Sequence, residues 1–247
     1  TIIKDTFTER QNSLVEKGFS FRGGSDTEVL LNLYLDEGVN LLPKLKGIFS
    51  FAIWDASKKS IFLARDALGV KPLYYAVTEK YFIFASEIKA LLPLLPPCLT
   101  IDHKALQQYL TFLWSPGERS PVKEIKKLPP GEALLVSGAN IIKKWKWYQI
   151  PYFRKIELIT SKIDIISGVE SHLRKAVHQQ MLSDVPVGAF LSGGLDSSAI
   201  VTFARELNPE IPCFTIETSG GQEEGMADDL PYAKKVAKHL DVPLHVV

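Results

Sequence analysis

Leu191-Ser192-Gly193-Gly194-Leu195-Asp196-Ser197-Ser198 is the stretch whose reading decides the fold. It follows an apolar run, Val187-Gly188-Ala189-Phe190-Leu191, and precedes a helix predicted to run to Leu207. Strand, tight turn and helix in that order place free backbone N–H groups and the positive end of a helix dipole at the turn. Two glycines let the backbone approach a ligand closely. Ser192, Ser197 and Ser198 add hydroxyl donors. Asp196 adds a carboxylate where a hard cation such as Mg²⁺ could bridge to phosphate oxygens. Together these residues predict a cradle for a polyphosphate. The string is not a Walker A loop: Gly188 and Gly193 have the spacing, but Gly194 and Leu195 stand where Lys and Ser/Thr belong. It is not G-x-G-x-x-G either. The plain alternative is a Gly-Gly turn with serines as helix caps.

Working outward, the pattern around this loop alternates strand and helix. Ser167-Gly168-Val169-Glu170 reads as a capping box that opens a helix, with Val169, Leu173, Ala176, Val177 and Met181 as its apolar stripe. After the loop come strand Ile211–Ile216, a Gly/Glu-rich loop, helix Asp228–Leu240 and strand Leu244–Val247. That βαβαβ order predicts a parallel sheet with right-handed crossovers.

The first part of the chain has a different character. A capping box, Ser25 with Glu28, starts a helix over 25–37. Residues 47–54 read as a buried strand, Asp55-Ala56-Ser57 as a turn and Ile61–Ala64 as a second strand. Further strands are predicted around Pro72–Val77, Tyr81–Ala85, Glu132–Val136 and Ile141–Trp147, with a helix over Asp102–Phe112. Short strands joined by tight turns predict an antiparallel sheet. The expected organisation is a first domain over 1–151, a linker over 152–166 and a parallel-sheet domain over 167–247.

Composition bounds the function. The chain has 247 residues, 46% apolar and 23% charged, with a net charge of +1. Such a balance excludes a disordered chain and gives no whole-chain attraction to nucleic acid or anionic membrane. No stretch is long and apolar enough for a membrane span. No nucleic-acid or membrane partner is therefore expected. Lys143-Lys144-Trp145-Lys146-Trp147-Tyr148 interleaves basic and aromatic residues, but reads better as a strand with one solvated face than as a nucleic-acid site. The two cysteines, Cys98 and Cys213, are expected to be reduced packing thiols in a cytoplasmic protein. The histidines have no metal-ligand spacing. Gln222-Glu223-Glu224 and Asp228-Asp229 read as a surface loop and a helix start, with a Mg²⁺ role as the minor alternative.

The loop Ser192–Ser198 resembles the pyrophosphate loop of the ATP pyrophosphatase group. The preceding Ser183–Leu191 resembles the asparagine synthetase version. Upstream, Gly24-Ser25-Asp26-Thr27-Glu28-Val29-Leu30, Gly47–Asp55, Ala64–Tyr75, Phe84–Leu91 and Lys127–Gly131 resemble, in order, the class II amidotransferase domain of glutamine-hydrolysing asparagine synthetases. The resemblance implies an Ntn-hydrolase-like αββα domain followed by a HUP-like ATP-pyrophosphatase domain. It implies hydrolysis of glutamine, passage of ammonia to the second domain, activation of the aspartate β-carboxylate by ATP as β-aspartyl-AMP, and release of asparagine, AMP and pyrophosphate.

By the same resemblance, Ser192, Gly193, Gly194, Ser197 and Ser198 would hold pyrophosphate, Asp196 would hold Mg²⁺, and Leu191 and Ile216 would contact the adenosine of ATP. Asp26 would bind the glutamine α-ammonium. Without the family, Asp26 reads as a plain helix-start charge and Ile216 equally well as sheet core. The sequence departs from the family beyond Ile216, where Glu217-Thr218 stands in place of the usual Gly. The family's N-terminal catalytic Cys and its S-G-E-G-x-D-E segment are not in the chain. The chain is therefore expected to be the centre of a longer enzyme, as written inactive in glutamine hydrolysis and at most a weak binder of ATP. Relatives acting on sugars, peptides or β-lactam precursors share this scaffold, and a non-catalytic ATP- or partner-binding chain is the rival from another class. The family often forms dimers, so a homodimer is expected among its partners.

Overall fold

The computed structural model describes residues 4–151, 161–183, 185–217 and 229–247. The chain divides into two compact units, Thr1–Arg154 and Lys155–Val247.

In the first unit, helices α1 (Lys4–Glu16) and α2 (Asp26–Glu37) precede a 3-10 turn over Gly38–Lys44. Strands β1 (Ser50–Asp55) and β2 (Ser60–Arg65) form a hairpin in register Ser50↔Arg65. The Asp55 carboxylate caps its turn, accepting from the Lys58 amide at 3.0 Å and the Ser57 hydroxyl at 2.6 Å. Next come β3 (Tyr74–Val77), β4 (Phe82–Ala85), α3 (Ile88–Leu91), α4 (His103–Phe112), β5 (Lys126–Lys127), β6 (Glu132–Ser137) and β7 (Asn140–Lys146). One antiparallel sheet runs β1-β2-β6-β7 and the other β4-β3-β5.

Strand alternation sends neighbouring side chains to opposite faces, and this sorts the core into layers. Phe62 and Ala64 of β2 face a cluster with Val29, Leu30 and Leu33 of α2 and Leu14 of α1. Leu63, between them, joins Leu134 and Val136 of its own sheet, Tyr75 of the second sheet, and Leu73 and Leu128, which flank strands of that second sheet. Ala76 of β3 points the other way, to Leu91 of α3 and Ile125. The order is helix, sheet, sheet, helix, the αββα layering expected. Phe62 is fully buried, stacked on Trp145 with ring centres 5.9 Å apart and on Tyr34 at 5.8 Å. Burying such a side chain stabilises by roughly 1.5–3 kcal/mol.

The second unit contains α5 (Lys162–Gln180), β8 (Ala189–Phe190), α6 (Leu195–Arg205), β9 (Cys213–Thr215), α7 (Leu230–Leu240) and β10 (Leu244–Val246). The three strands are parallel, in the order β10-β9-β8. Helices α6 and α7 supply Val201, Ala204, Ala233 and Ala237 to a core that includes Ile211 and Cys213.

Several expectations are corrected. Helix α5 starts at Lys162, not at Ser167, because Ser161 is the N-cap and its hydroxyl accepts from the Asp164 amide. The Ser167 hydroxyl instead donates back to the Asp164 carbonyl. Of its proposed stripe only Val177 is buried; Val169 is 61% exposed and Leu173 36%. Glu28 does not close a capping box on Ser25. Its carboxylate accepts from the amides of Arg22 and Gly23 instead. Cys98 is exposed rather than packed, whereas Cys213 is buried; neither is in a disulfide. The Gly/Glu-rich loop with Gln222-Glu223-Glu224, Asp228 and most of the 152–166 segment lie outside the described residues. Among the described residues, no helix is long and apolar enough to cross a membrane.

Candidate functional sites

The first candidate site lies at the C-terminal edge of the parallel sheet. Leu191 follows β8 and Ile216 follows β9, the edge where such sheets receive ligands. Leu191 is 1% exposed and its amide donates to the Phe214 carbonyl at 2.8 Å. Ile216 is 63% exposed, so it is not sheet core. Between strand and helix the loop turns at Gly193, whose φ is +79°. Gly194 is the N-cap of α6 and offers no side chain to the first amides of that helix. Those N–H groups have no partner within a helix and need one from outside it.

Hydroxyls tie the loop into one shape. The Ser192 and Ser197 oxygens are 3.0 Å apart. Ser192 Oγ accepts from the Gly194 amide and Ser197 Oγ from the Ser192 amide, both at 3.3 Å. Ser198 Oγ donates to the Gly194 carbonyl at 2.6 Å. Gly193 also sits against the start of α7: a β-carbon there would stand 2.6 Å from the Ala233 nitrogen. Asp196, in the first turn of α6, is exposed. The structure thus brings Ser192, Gly193, Gly194, Asp196, Ser197 and Ser198 into one turn and sets Leu191 and Ile216 at the ends of adjacent strands. Among the described residues no cluster of three His, Cys, Asp or Glu could hold a metal by itself. A cation at Asp196 would need oxygens from a bound phosphate.

The second candidate site is in the first unit. Asp26 opens α2, with Ser25 as N-cap accepting from the Thr27 amide. It lines a pocket of about 230 Å³ with Thr27, Ile48, Phe49, Ser50 and Lys71. A carboxylate, Asp26, and an ammonium, Lys71, lining one pocket suit a small zwitterion. Sequence reasoning quoted the segments that hold Ser50 and Lys71 but gave those residues no part. What brings Lys71 there is Asp66, which is 1% exposed. Its carboxylate accepts from the amides of Leu68, Val70 and Lys71 at 3.0–3.1 Å. Its own amide donates to the Phe49 carbonyl, and its carbonyl accepts from the amides of Gly69 and Gly131. An Asp followed at short range by Gly was the available signal for this turn.

Comparison with known proteins agrees with this division. Residues 6–148, more than half of the chain, match the family described as glutamine amidotransferase domain. Residues 168–247 match the asparagine synthase family. The chain belongs to the glutamine amidotransferase domain family and carries part of an asparagine synthase domain. This family member is 35% identical, over 236 residues, to asparagine synthetase [glutamine-hydrolyzing] 1 of Bacillus subtilis, covering 96% of this chain and 36% of that protein. It is 39% identical to asparagine synthetase [glutamine-hydrolyzing] 3 of the same organism, over 95% of this chain and 40% of that protein. It is 30% identical to amidase chyE of Penicillium rubens, over 93% and 35%. The chain therefore spans about a third to two fifths of the length of these relatives. Among solved structures, the glutamine phosphoribosylpyrophosphate amidotransferase of B. subtilis with ADP and GMP aligns at TM-score 0.43 and 17% identity, over 99% of this chain and 43% of that one.

Proposed function

We propose that the chain takes part in ATP-dependent amide formation with glutamine as nitrogen donor and a carboxylate, by preference that of aspartate, as acceptor. In this reading the first domain, over 1–151, is Ntn-hydrolase-like and the second, opening with α5 at Lys162, is HUP-like, with a linker between them. Asp26 pairs with the α-ammonium of glutamine. Ser192, Gly193, Gly194, Ser197 and Ser198 hold the β- and γ-phosphates of ATP, which leave as pyrophosphate when the acceptor oxygen attacks the α-phosphate. Leu191 and Ile216 contact adenosine, and Asp196 shares a Mg²⁺ with the phosphate oxygens. The single observation that carries the proposal is the uncapped start of α6: a helix N-terminus presented through Gly194 and flanked by three serine hydroxyls suits an oxyanion leaving group. The absence of a Lys from the loop suits a site that holds a leaving group rather than transferring a γ-phosphate.

Calorimetric titration with Mg·ATP tests it. Saturable binding with pyrophosphate as competitor is expected, weakened about tenfold or more by Ser197→Ala and by Asp196→Asn, each of which removes a charge-assisted contact. Binding that pyrophosphate does not displace, or that neither substitution changes, would overturn the assignment of the loop. A second acceptor class is favoured by one observation: the similarity over 93% of this chain to a relative named an amidase rather than an asparagine synthetase. Adenylation of a carboxylate other than aspartate by the full-length protein would select that reading.

A further inference from the structure

A cleft of about 480 Å³ in the first unit shares no lining residue with the Asp26 pocket. Its volume falls in the range of small-molecule sites. Three cations line it: Arg65, Arg119 and Lys127. Among the described residues no Asp or Glu lines it. Three aromatic rings, Tyr74, Tyr109 and Trp114, complete the wall.

Arg65 and Lys127 are half-buried and built in, whereas Arg119 is exposed at the rim. Arg65 donates to the carbonyls of Gly69, Lys71 and Leu128 at 2.6–2.7 Å, which locks its planar fork in place. Lys127 donates to the Ser115 carbonyl, and its ammonium lies 5.7 Å from the centre of the Trp114 ring. Arg119 spends one nitrogen on Asp102 at 2.7 Å. Asp102 itself lines the neighbouring cavity, not this one. Burial pulls the Lys127 ammonium below the usual lysine range, and the nearby Arg65 charge adds to the effect. Burial likewise lowers Arg65. Holding two like charges together in a half-buried cleft costs free energy unless an anion joins them.

We infer that this cleft binds a small phosphate monoester carrying a flat ring, with Arg119 and Lys127 on the phosphate and Trp114 and Tyr109 against the ring. The doubly negative head follows from three cations without a lining carboxylate. The ring follows from the exposed aromatic faces, on which a flat group stacks. Nothing in the proposed amide-forming reaction uses this cleft, so the inference stands or falls separately from it.

The test follows the four indole N–H resonances of the whole chain by NMR, with that of Trp114 assigned by Trp114→Phe. The probes are phenyl phosphate, benzoate, inorganic phosphate and phenol, each to about 10 mM, where a site of millimolar affinity fills. Phenyl phosphate should shift the Trp114 resonance saturably and leave that of Trp54 in place. Benzoate, inorganic phosphate and phenol should each bind more weakly. Lys127→Gln should weaken phenyl phosphate about tenfold, and Lys127→Arg should restore it. Should Lys127→Gln fail to fold, Arg119→Gln serves as the second variant with the same expectation. An unmoved Trp114 resonance, or equal binding of phenol, would overturn the site. Tighter binding of benzoate would overturn the phosphate head, and equal binding of inorganic phosphate the ring. A folded Lys127→Gln or Arg119→Gln protein with unchanged affinity would overturn the roles given to those residues.

Discussion

Replacing Gly193 by Ala should undo the second unit while sparing the first. Gly193 has φ +79°, a conformation in which a β-carbon costs about 1–2 kcal/mol. The new methyl group would also press on the start of α7, against the Tyr232 carbonyl carbon and at 2.6 Å from both the Ala233 nitrogen and the Tyr232 β-carbon. These are largely backbone atoms that cannot rotate away, and overpacking of this kind costs about 1–3 kcal/mol. The sum is about 2–5 kcal/mol. At about 4–8 °C per kcal/mol for a unit of under 100 residues, melting should fall by at least about 8 °C. The four tryptophans, Trp54, Trp114, Trp145 and Trp147, all belong to the first unit, so fluorescence follows that unit alone. Far-UV circular dichroism follows both. In Gly193→Ala the fluorescence melt should stay in place and an earlier helical transition should separate from it. Gly194→Ala is the control: its φ of −71° is ordinary and its β-carbon would meet only Ser192 Oγ, at 3.3 Å. If Gly193→Ala melts like the parent chain and binds Mg·ATP equally well, the close approach of loop and α7 is not what shapes this turn.

Further predictions follow from the first unit. Phe62→Ala removes a fully buried ring stacked between Tyr34 and Trp145 and should cost about 3–5 kcal/mol, read as an earlier fluorescence melt. Asp26→Asn should weaken glutamine binding, measured by calorimetry, about tenfold or more, since it removes a charged partner for an ammonium. The Asp102 carboxyl is held below its ordinary value of 3.8 by the Ala105 amide and by Arg119. Its folded pKa is depressed, so its contribution is full above 3.8 and is lost as pH falls from there through the folded value. Acid melts of the parent chain and of Asp102→Asn should therefore diverge above pH 3.8 and converge below it.

Much of the architecture was legible in local signals. Ser25 does cap α2, the β1–β2 hairpin falls at Asp55, and the strand–loop–helix around Gly193 forms where the pattern placed it. What could not be read depends on choices between competing local signals or on distant partners. Only Ser167 read as a helix start, yet Ser161, within an expected linker, caps the helix, which once begun extends through Ser167. Strand β5 is two residues long and forms through pairing of Lys126 and Lys127 with β3, about fifty residues earlier in the chain, and with Arg119 and Glu118, so no pattern of its own could announce it. Leu191 and Ile216 looked alike from sequence, as apolar residues ending strands. Only packing separates them, one buried and the other open at the sheet edge. Lys71 escaped notice because its position depends on how Asp66 folds the loop, and Asp66 reads in sequence as one more turn residue.

That loop separates shape from chemistry. Asp66 collects the amides of Leu68, Val70 and Lys71, so the path of the backbone does not depend on which side chains those residues carry. The side chains of Leu68 and Val70 are meanwhile 65% and 55% exposed. Random substitution at these two positions should therefore be tolerated far better than any insertion or deletion between Asp66 and Lys71. Asn at position 66 should be worse than its size suggests, because its NH₂ group would face an amide that also needs an acceptor. A lineage can thus repaint this surface without moving the frame beneath it.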